Sequence, residues 1–423
     1  MTELSLLVFL SWAVLMAALC WRGFQVTAPS GWSVWQMALF VVSVALLIRL
    51  VPALFLPFGN FDIDSYGLVA RVLDEGRDVY TATETARRHP YLPLQLYWLF
   101  AANEWAGQFS LPYASVVRLL PVLADAAIAG GLLVIVWHHT TDRVRSWRSG
   151  LVYALNPVTI LIAAYHGQFD SIPMLLILMA WWVYSQPHGN RRGLRILASA
   201  LLLGLAILNK SWPVLFLPLM LAYLPRWSDQ VVYTALVGLV PLLGVGLYGL
   251  WINSEPAQVI ATAMSYNHGI GAGGYVFFVR FGYESGLLSV ETYSWFFEYG
   301  RWLTLITLAV VYWVWARKYP PLTGLLLMLL TFLGFGHAFA TQYLAWLIPF
   351  AILGDQWQWL RRYLLAALGY CLAVYFLVIL ANRIEYWAPT AAGMLYFILP
   401  LTVPIWLVCV GWLAEMLRAP RPT

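Results

Sequence analysis

The stretch YASVVRLLPVLADAAIAGGLLVIVW, residues 113–137, contains only two charged residues, Arg118 and Asp125. A helix of this length covers more than the roughly 30 Å of hydrocarbon in a bilayer core. We therefore expect a membrane-spanning helix. An isolated charge in lipid is costly, so Arg118 and Asp125 should pair with each other or with Arg49.

The rest of the chain has the same character. Of its 423 residues, 62% are hydrophobic and 10% are charged, against roughly 45–50% and 25% in soluble domains. So few charges cannot cover so much apolar surface in water, which excludes disordered, fibrous and disulfide-scaffold classes. The net charge of +5 comes from scattered basic residues, so a nucleic-acid-binding stripe is also excluded. The three cysteines lie in apolar runs and predict no disulfide framework.

Similar apolar runs recur along the chain and predict an all-α polytopic membrane protein, 1–423 forming one membrane domain. Helices are favoured because lipid offers backbone groups no partners and no alternating barrel pattern occurs. The first run follows Glu3 with no basic residue before it, so we expect a membrane helix and not a cleaved signal peptide. The thirteen predicted spans are 4–21, 37–57, 113–137, 149–165, 171–185, 194–208, 212–224, 231–252, 302–316, 322–336, 342–354, 363–381 and 391–413.

The distribution of arginine and lysine predicts the orientation in the membrane. Short loops on one side of the predicted bundle hold most of the basic residues, and that side should be cytoplasmic. The amino terminus and the long loops 58–112 and 253–301 then lie outside. Nearly all polar motifs fall on this outer side, which predicts chemistry at the outer face of the cell membrane and not alternating access.

The first long loop begins with an acidic motif in GNFDIDSYGLVARVLDEGRDVYTATETARRHPYLPLQLYW, residues 59–98. Asp62 and Asp64 follow directly after a predicted span. Carboxylates there can serve as a general base, or can together hold a divalent cation such as Mg²⁺ or Mn²⁺. Residues 66–73 have the apolar spacing of a helix lying on a membrane surface. The alternative is that the acidic pair only caps and solvates a helix end.

A second motif consists of the Asn-Pro pair at 156–157 followed by HGQFD at 166–170. Proline removes a backbone donor, which predicts a break inside an apolar helix. His166, Gln168 and Asp170 offer an imidazole, an amide and a carboxylate, which can hydrogen-bond the hydroxyl groups of a ligand or orient a base. A polar turn between two helices is the alternative.

Cationic groups on the predicted outer side are candidates for holding an anionic ligand. Lys210 lies between two apolar runs, where it either stabilises such an anion or reaches the headgroups. His337 precedes another short run, and a histidine satisfied by neighbouring groups is the alternative there. The segment YNHGIGAGGY at 266–275 contains His268 and precedes Arg280. Its glycines indicate a lid over a ligand or an ordinary flexible loop.

Three patterns in the first long loop resemble the GT-C glycosyltransferases, in particular the GPI mannosyltransferases and their bacterial relatives. They are Asp-x-Asp-x-Tyr after an early span, Glu-Gly-Arg-x-x-Tyr, and the Pro-Tyr-x-Pro-Leu that contains Tyr91. The resemblance implies many spans with surface helices in the outer loops and a donor sugar joined to a polyprenyl phosphate. It also implies a catalytic aspartate at Asp62 or Asp64.

The later motifs resemble dolichol-pathway glucosyltransferases. HGQFD is similar to their His-Gly-x-Phe motif, but Gln168 and Asp170 depart from it, so the identity of the sugar does not carry over. The segment around His337 is similar to a late histidine motif that contacts the donor phosphate in that family.

These features predict an inverting glycosyltransferase that moves a sugar, mannose by resemblance, from a polyprenyl-phosphate donor to a hydroxyl acceptor, for example a lipid or glycan. Asp62 or Asp64 would be the base. The predicted donor- and acceptor-binding residues are His166, Gln168, Asp170, Lys210, His337, His268, Arg280 and Tyr91. A lipid-glycan flippase or transporter is the competing class, and a GT-C glycan ligase or protein O-mannosyltransferase is the enzymatic alternative.

Overall fold

A computed structural model describes residues 3–55, 60–186, 191–265, 273–381 and 399–418. Every regular element in these ranges is helical, as the composition predicts. The α-helices are α1 (Glu3–Gly23), α2 (Val34–Phe55), α3 (Phe61–Asp74), α4 (Leu94–Gln108), α5 (Tyr113–Val117), α6 (Leu119–Thr140), α7 (Arg143–Ala154), α8 (Pro157–Ile160), α9 (Ser171–Ser185), α10 (Arg192–Asn209), α11 (Leu217–Tyr223), α12 (Trp227–Ile252), α13 (Pro256–Ser265), α14 (Val276–Glu284), α15 (Val290–Val314), α16 (Pro321–Phe335), α17 (Leu347–Leu353), α18 (Trp357–Ala381) and α19 (Thr402–Arg418). Short 3₁₀ turns occupy Thr83–Thr85, Trp212–Phe216, Ala316–Lys318, Thr341–Ala345 and Leu399–Leu401, and a π-helical turn occupies Leu161–His166.

The chain divides into two compact units. The N-terminal unit is Trp12–Tyr266, and the C-terminal unit joins Met1–Ser11 to Asn267–Thr423. Both motifs of the first half of the sequence, 59–98 and 166–170, belong to the N-terminal unit. The single membrane domain expected from the sequence stays a prediction.

Five helical stretches in the described ranges are long and apolar enough to cross a membrane. Other apolar helices have only 10–17 residues, which is too short to cross a 30 Å core unless the bilayer thins around them. The count of thirteen spans is therefore not confirmed, and the last predicted run, 391–413, begins outside the described residues. The five stretches are Val34–Phe55, Tyr113–Thr140, Arg192–Asn209, Trp227–Ile252 and Leu399–Arg418.

The outer surface of α12 shows why these helices need lipid. Leu242, Leu243, Leu247 and Leu250 are each more than half exposed, and Leu250 is 85% exposed. A row of exposed leucines on one helix would form a costly apolar patch in water, whereas hydrocarbon solvates it without cost. The exposed apolar surface and the apolar helices support a multi-pass membrane protein.

Close helix packing fixes the end of α10, which precedes Lys210. α10 packs against α9 and α12. Gly244 on α12 faces Leu208 so closely that a Cβ atom there would overlap the leucine side chain. Small residues commonly allow this approach between helices in membranes. The approach leaves the last turn of α10 little freedom to move.

Two charges of the spanning segments, Arg49 and Asp125, belong to a buried hydrogen-bond network. Arg49 Nε donates to Asp125 Oδ2 at 2.5 Å, and the Tyr153 hydroxyl donates to the other carboxylate oxygen at 2.6 Å. The guanidinium also donates to Thr159 Oγ1 at 3.0 Å. Of the two pairings predicted for Asp125, the structure shows the one with Arg49 and not the one with Arg118. This network ties α2 to α6 and to the segment 153–159.

We expect Arg49→Met to lower the free energy of unfolding by about 3–5 kcal/mol, because it leaves the buried Asp125 carboxylate without its cation. Adding Asp125→Asn should recover much of this loss, since an amide needs no counter-charge. Thermal unfolding in detergent measures both effects. Arg22→Met is the control: this exposed arginine in the last turn of α1 should matter little. Equal unfolding midpoints for Arg49→Met and Arg22→Met would contradict the prediction.

Candidate functional site

One asparagine fixes the start of α3 and its position. The Asn60 side-chain oxygen accepts from the backbone N–H groups of Asp62 and Ile63, both at 2.9 Å, as a helix N-cap does. The same amide donates through Nδ2 to the carbonyl oxygen of His166 at 2.9 Å. Asn60 therefore joins the acidic motif to the HGQFD segment.

The HGQFD segment follows a broken helix, as the Asn-Pro pair predicts. α7 ends at Ala154, and the Asn156 side chain caps α8 by accepting from the N–H of Val158 at 3.0 Å. A π-helical turn then runs to His166 and ends at Gly167. π-helical turns are rare and frequently occur at functional sites.

Gly167 allows the chain to pass close to α3. Its φ of +85° lies in the left-handed region, which glycine adopts at little cost. A Cβ atom at this position would lie 2.7 Å from Ile63 Cδ1. The absence of a side chain at Gly167 thus lets the residues on either side of it reach the start of α3.

These contacts place an imidazole and an amide on the same oxygen of Asp62. His166 Nε2 lies 2.8 Å from Asp62 Oδ2, and Gln168 Nε2 donates to that oxygen at 2.5 Å. The Tyr66 hydroxyl donates to Gln168 Oε1 at 3.4 Å, and the Tyr66 ring packs against Phe169 at 4.7 Å between centroids. Gln168 is held at both ends of its amide, which fixes its orientation.

The electrostatics keep Asp62 ionised. Burial alone would raise the pKa of its carboxyl group. The hydrogen bond and charge of His166, the charge of Lys210 and the hydrogen bond from Gln168 outweigh burial, so the pKa lies below its usual value. The side chain remains 35% exposed, and no described residue donates a hydrogen bond to Oδ1. Asp62 can therefore present one accessible, ionised oxygen to a hydroxyl group.

A buried ion pair lies two residues further along the chain. Lys210 Nζ donates to Asp170 Oδ2 at 2.7 Å, and both side chains are at most 4% exposed. The ammonium group also lies 5.0 Å from the centre of the Tyr91 ring, within the range of a cation–π contact. The pair fixes the end of HGQFD against α10.

The segment that carries Tyr91 is itself anchored. The Tyr80 hydroxyl donates to the carbonyl oxygen of Tyr91 at 2.8 Å, and both rings pack edge-on against His89. Burial lowers the pKa of His89 to about 3, so this imidazole is neutral at physiological pH. The Asp78 carboxylate accepts from the Tyr248 hydroxyl at 2.9 Å and holds the segment to the end of α12.

The N-terminal unit brings together six of the ten residues predicted for the site. Asp64 is not among them: it is exposed on α3, because residues two apart on a helix point in different directions. The residues brought together are Asp62, Tyr91, His166, Gln168, Asp170 and Lys210.

The other three predicted residues are not among the described residues of the N-terminal unit. His337 and Arg280 belong to the C-terminal unit. There the Thr304 hydroxyl lies 3.2 Å from His337 Nδ1, and burial, together with the charge of Arg301, lowers the pKa of His337. Arg280 is half-buried on α14. His268 lies outside the described residues.

The described residues do not form the metal site considered for the acidic pair. Within the described ranges, no group of three or more His, Cys, Asp or Glu residues is arranged to hold a metal ion. Asp62 Oδ2 is already occupied by His166 and Gln168, and Asp64 does not share its site. Asp62 and Asp64, as the structure arranges them, therefore do not fit a divalent cation held between them.

Sequence reasoning missed three residues of this region. Asn60 is recognisable in retrospect as an N-cap before an apolar helix. Tyr66 belongs to the Asp-x-Asp-x-Tyr pattern and to the amphipathic stretch, and Asp78 belongs to the Glu-Gly-Arg-x-x-Tyr pattern, but neither stands out there as a candidate for the site. No sequence signal gives the hydrogen-bond partners of Tyr66 and Asp78, since both partners come from distant parts of the chain.

The fold and the site define a multi-pass helical membrane protein with an ionised carboxylate held at the start of a helix. No protein-family model matches the chain. The chain is similar to GPI mannosyltransferase 1 of Debaryomyces hansenii, with 24% identity over 262 residues. The match covers 58% of this chain and 55% of that protein, so the chain spans about half the length of the relative it matches.

We expect Gly167→Ala to destabilise the protein by about 1–2 kcal/mol or more, because a side chain is strained at positive φ and would overlap Ile63. Thermal unfolding measures the loss. The matched control is Gly193→Ala, an exposed glycine on α10 with open space around its Cβ position. That change should be neutral or slightly stabilising, because alanine favours a helix. Equal unfolding midpoints for the two variants would show that Gly167 does not constrain the site.

Proposed function

We propose that the protein is an inverting GT-C-like glycosyltransferase. It would move a sugar, most simply mannose, from a polyprenyl-phosphate donor to an acceptor hydroxyl at the outer face of the cell membrane. The observation that carries this proposal is the Asp62 carboxylate, which His166 and Gln168 hold by one oxygen at 2.8 and 2.5 Å. The similarity to a GPI mannosyltransferase supports the choice of sugar.

In this proposal Asp62 is the general base. Its Oδ1 takes the proton of the acceptor hydroxyl while the acceptor's own oxygen bonds to the anomeric carbon. The bond from the anomeric carbon to the phosphate oxygen breaks on the opposite face, and the phosphate leaves with the electron pair. His166 and Gln168 keep Asp62 oriented and ionised, since both contacts favour the carboxylate over the acid.

The basic residues proposed for the site would have two separate roles. Lys210 was expected to hold the donor phosphate, but its ammonium is buried against Asp170. We propose that it acts instead by fixing the HGQFD segment and by lowering the pKa of Asp62. His337, His268 and Arg280 remain the proposed phosphate contacts.

A lipid-glycan transporter would need charges in the spanning segments to line a path, and only Arg49, Arg118 and Asp125 were candidates for it. Arg49 and Asp125 neutralise each other in a buried network, which supports the proposal of an enzyme. A glycan ligase or a protein O-mannosyltransferase would use the same carboxylate chemistry, and only the identity of the acceptor separates these enzymes from the proposed one.

Asp62→Asn should lower the rate of sugar transfer about 10²- to 10⁴-fold, because it removes the base and keeps the shape. Asp64→Asn should retain most of the activity, since Asp64 is exposed outside the hydrogen-bonded cluster. The purified protein is incubated with polyprenyl-phosphate mannose and membrane lipid extract, and products are read by mass spectrometry. A fully active Asp62→Asn variant would overturn the role of Asp62, and a wild type that forms no glycosidic bond would overturn the proposed function.

The proposed side of the membrane is tested by thiol labelling of intact cells. A cysteine replacing Thr81, which is exposed in the first long loop, should react with an impermeant reagent added outside. A cysteine replacing Arg22 should react only after permeabilisation. The three native cysteines are buried and should give little background. Labelling of the Arg22 variant from outside would place the site on the cytoplasmic side.

A further inference from the structure

Two buried amide side chains near the site have hydrogen-bonding atoms without a partner. Gln95 and Asn209 are each 2% exposed. Among the described residues, no hydrogen-bond partner is found for Nε2 or Oε1 of Gln95. The same holds for Oδ1 of Asn209. Burying such atoms unpaired costs free energy, and most buried polar groups in proteins are paired. This cost is recovered if a ligand supplies the missing partners.

Both amides are close in sequence to the residues of the contact between Tyr91 and Lys210. Gln95 lies four residues after Tyr91, in the first turn of α4, and Asn209 directly precedes Lys210 at the end of α10. α4 packs against α10, and the Lys210 ammonium lies 5.0 Å from the Tyr91 ring centre. The packing of α4 against α10 therefore brings the helix ends that carry the two amides to the region of the ion pair between Lys210 and Asp170.

The chemistry of the two amides selects the kind of ligand. An amide offers a donor and an acceptor and carries no charge, and a hydroxyl group likewise donates and accepts. Lys210, the residue after Asn209, is already neutralised by Asp170. A phosphate would gain little attraction from this paired lysine, whereas a ring with several hydroxyl groups would find both donors and acceptors in the two amides.

We propose that Gln95 and Asn209 form a subsite that hydrogen-bonds the hydroxyl groups of a sugar ring. The inference rests on the proposed function, and it adds the residues that would recognise the sugar. The sugar is either that of the donor or that of the acceptor, because the two present the same hydroxyl chemistry.

Binding to the full-length protein in detergent tests the subsite without requiring transfer. The probes are polyprenyl-phosphate mannose, polyprenyl phosphate without sugar, and methyl α-mannoside as a simple sugar acceptor. The variants are Gln95→Met and Asn209→Leu, each close in shape to the native residue. Leu99→Met is the matched control, because Leu99 is fully buried one turn further along α4 and this change conserves volume.

We expect Gln95→Met and Asn209→Leu to weaken the binding of a sugar probe about tenfold or more. Polyprenyl phosphate should bind them as it binds the wild type. A loss confined to polyprenyl-phosphate mannose identifies the donor sugar, and a loss confined to methyl α-mannoside identifies the acceptor. The unfolding midpoint should stay equal or rise, since an apolar side chain replaces an unpaired buried amide. Leu99→Met should change no binding constant.

Unchanged binding of both sugar probes by both variants would overturn the subsite, and so would a wild type that binds neither probe. A wild type that binds sugar through these residues but never forms a glycosidic bond would instead contradict the proposed function and leave the subsite supported. The two failures are thus distinguishable.

Discussion

The hydrogen bonds that Asp62 accepts from His166 and Gln168 join residues more than a hundred positions apart in sequence. Hydrogen bonds to a charged group are stronger than neutral ones, so this contact is a strong constraint on the N-terminal unit. The cap at Asn60 and the left-handed turn at Gly167 bring the two segments close enough for it to form. Without either, Asp62 would be an ordinary solvated carboxylate at a helix start.

The balance of charge explains how two carboxylates coexist in this cluster. Asp170 is paired with Lys210 and nearly inaccessible, while Asp62 is partly exposed and held by an imidazole and an amide. Asp170 therefore contributes rigidity, because its charge is compensated. Asp62 retains a charge that a ligand can reach. Asp62 differs in the same way from Asp125, whose charge is neutralised by Arg49 within the spanning helices.

Most of the residues of this cluster were predictable from the sequence. Polar side chains that stand at the ends of apolar runs lie where lipid meets water and can reach a ligand there. This position made five residues candidates: Asp62, His166, Gln168, Asp170 and Lys210. Their partners were not predictable. The pairing of Lys210 with Asp170 depends on how α9 and α10 pack, and nothing in either segment encodes that distance.

The fold was predictable as a class, and its spans were not predictable as a count. The all-helical character follows from composition alone. Apolar runs such as 149–165 and 212–224 contain prolines, and the structure builds them from short α, 3₁₀ and π segments. Periodicity in the sequence cannot separate a broken apolar helix inside the protein from one that crosses lipid. Asp64 shows a similar ambiguity, because an Asp-x-Asp pattern becomes a pair only where the backbone is not helical.

The low pKa of Asp62 bears on how a base at this position would work. A carboxylate stabilised by His166, Gln168 and Lys210 is a weak base toward an ordinary hydroxyl group. If Asp62 is the base, as we propose, proton transfer becomes favourable only once the acceptor oxygen has begun to bond to the anomeric carbon and has become acidic. The bond from the anomeric carbon to the phosphate oxygen must then be largely broken before the proton moves to Asp62. The stabilising contacts would keep Asp62 ionised before the reaction, and the leaving phosphate, not the strength of the base, would determine the timing of bond formation.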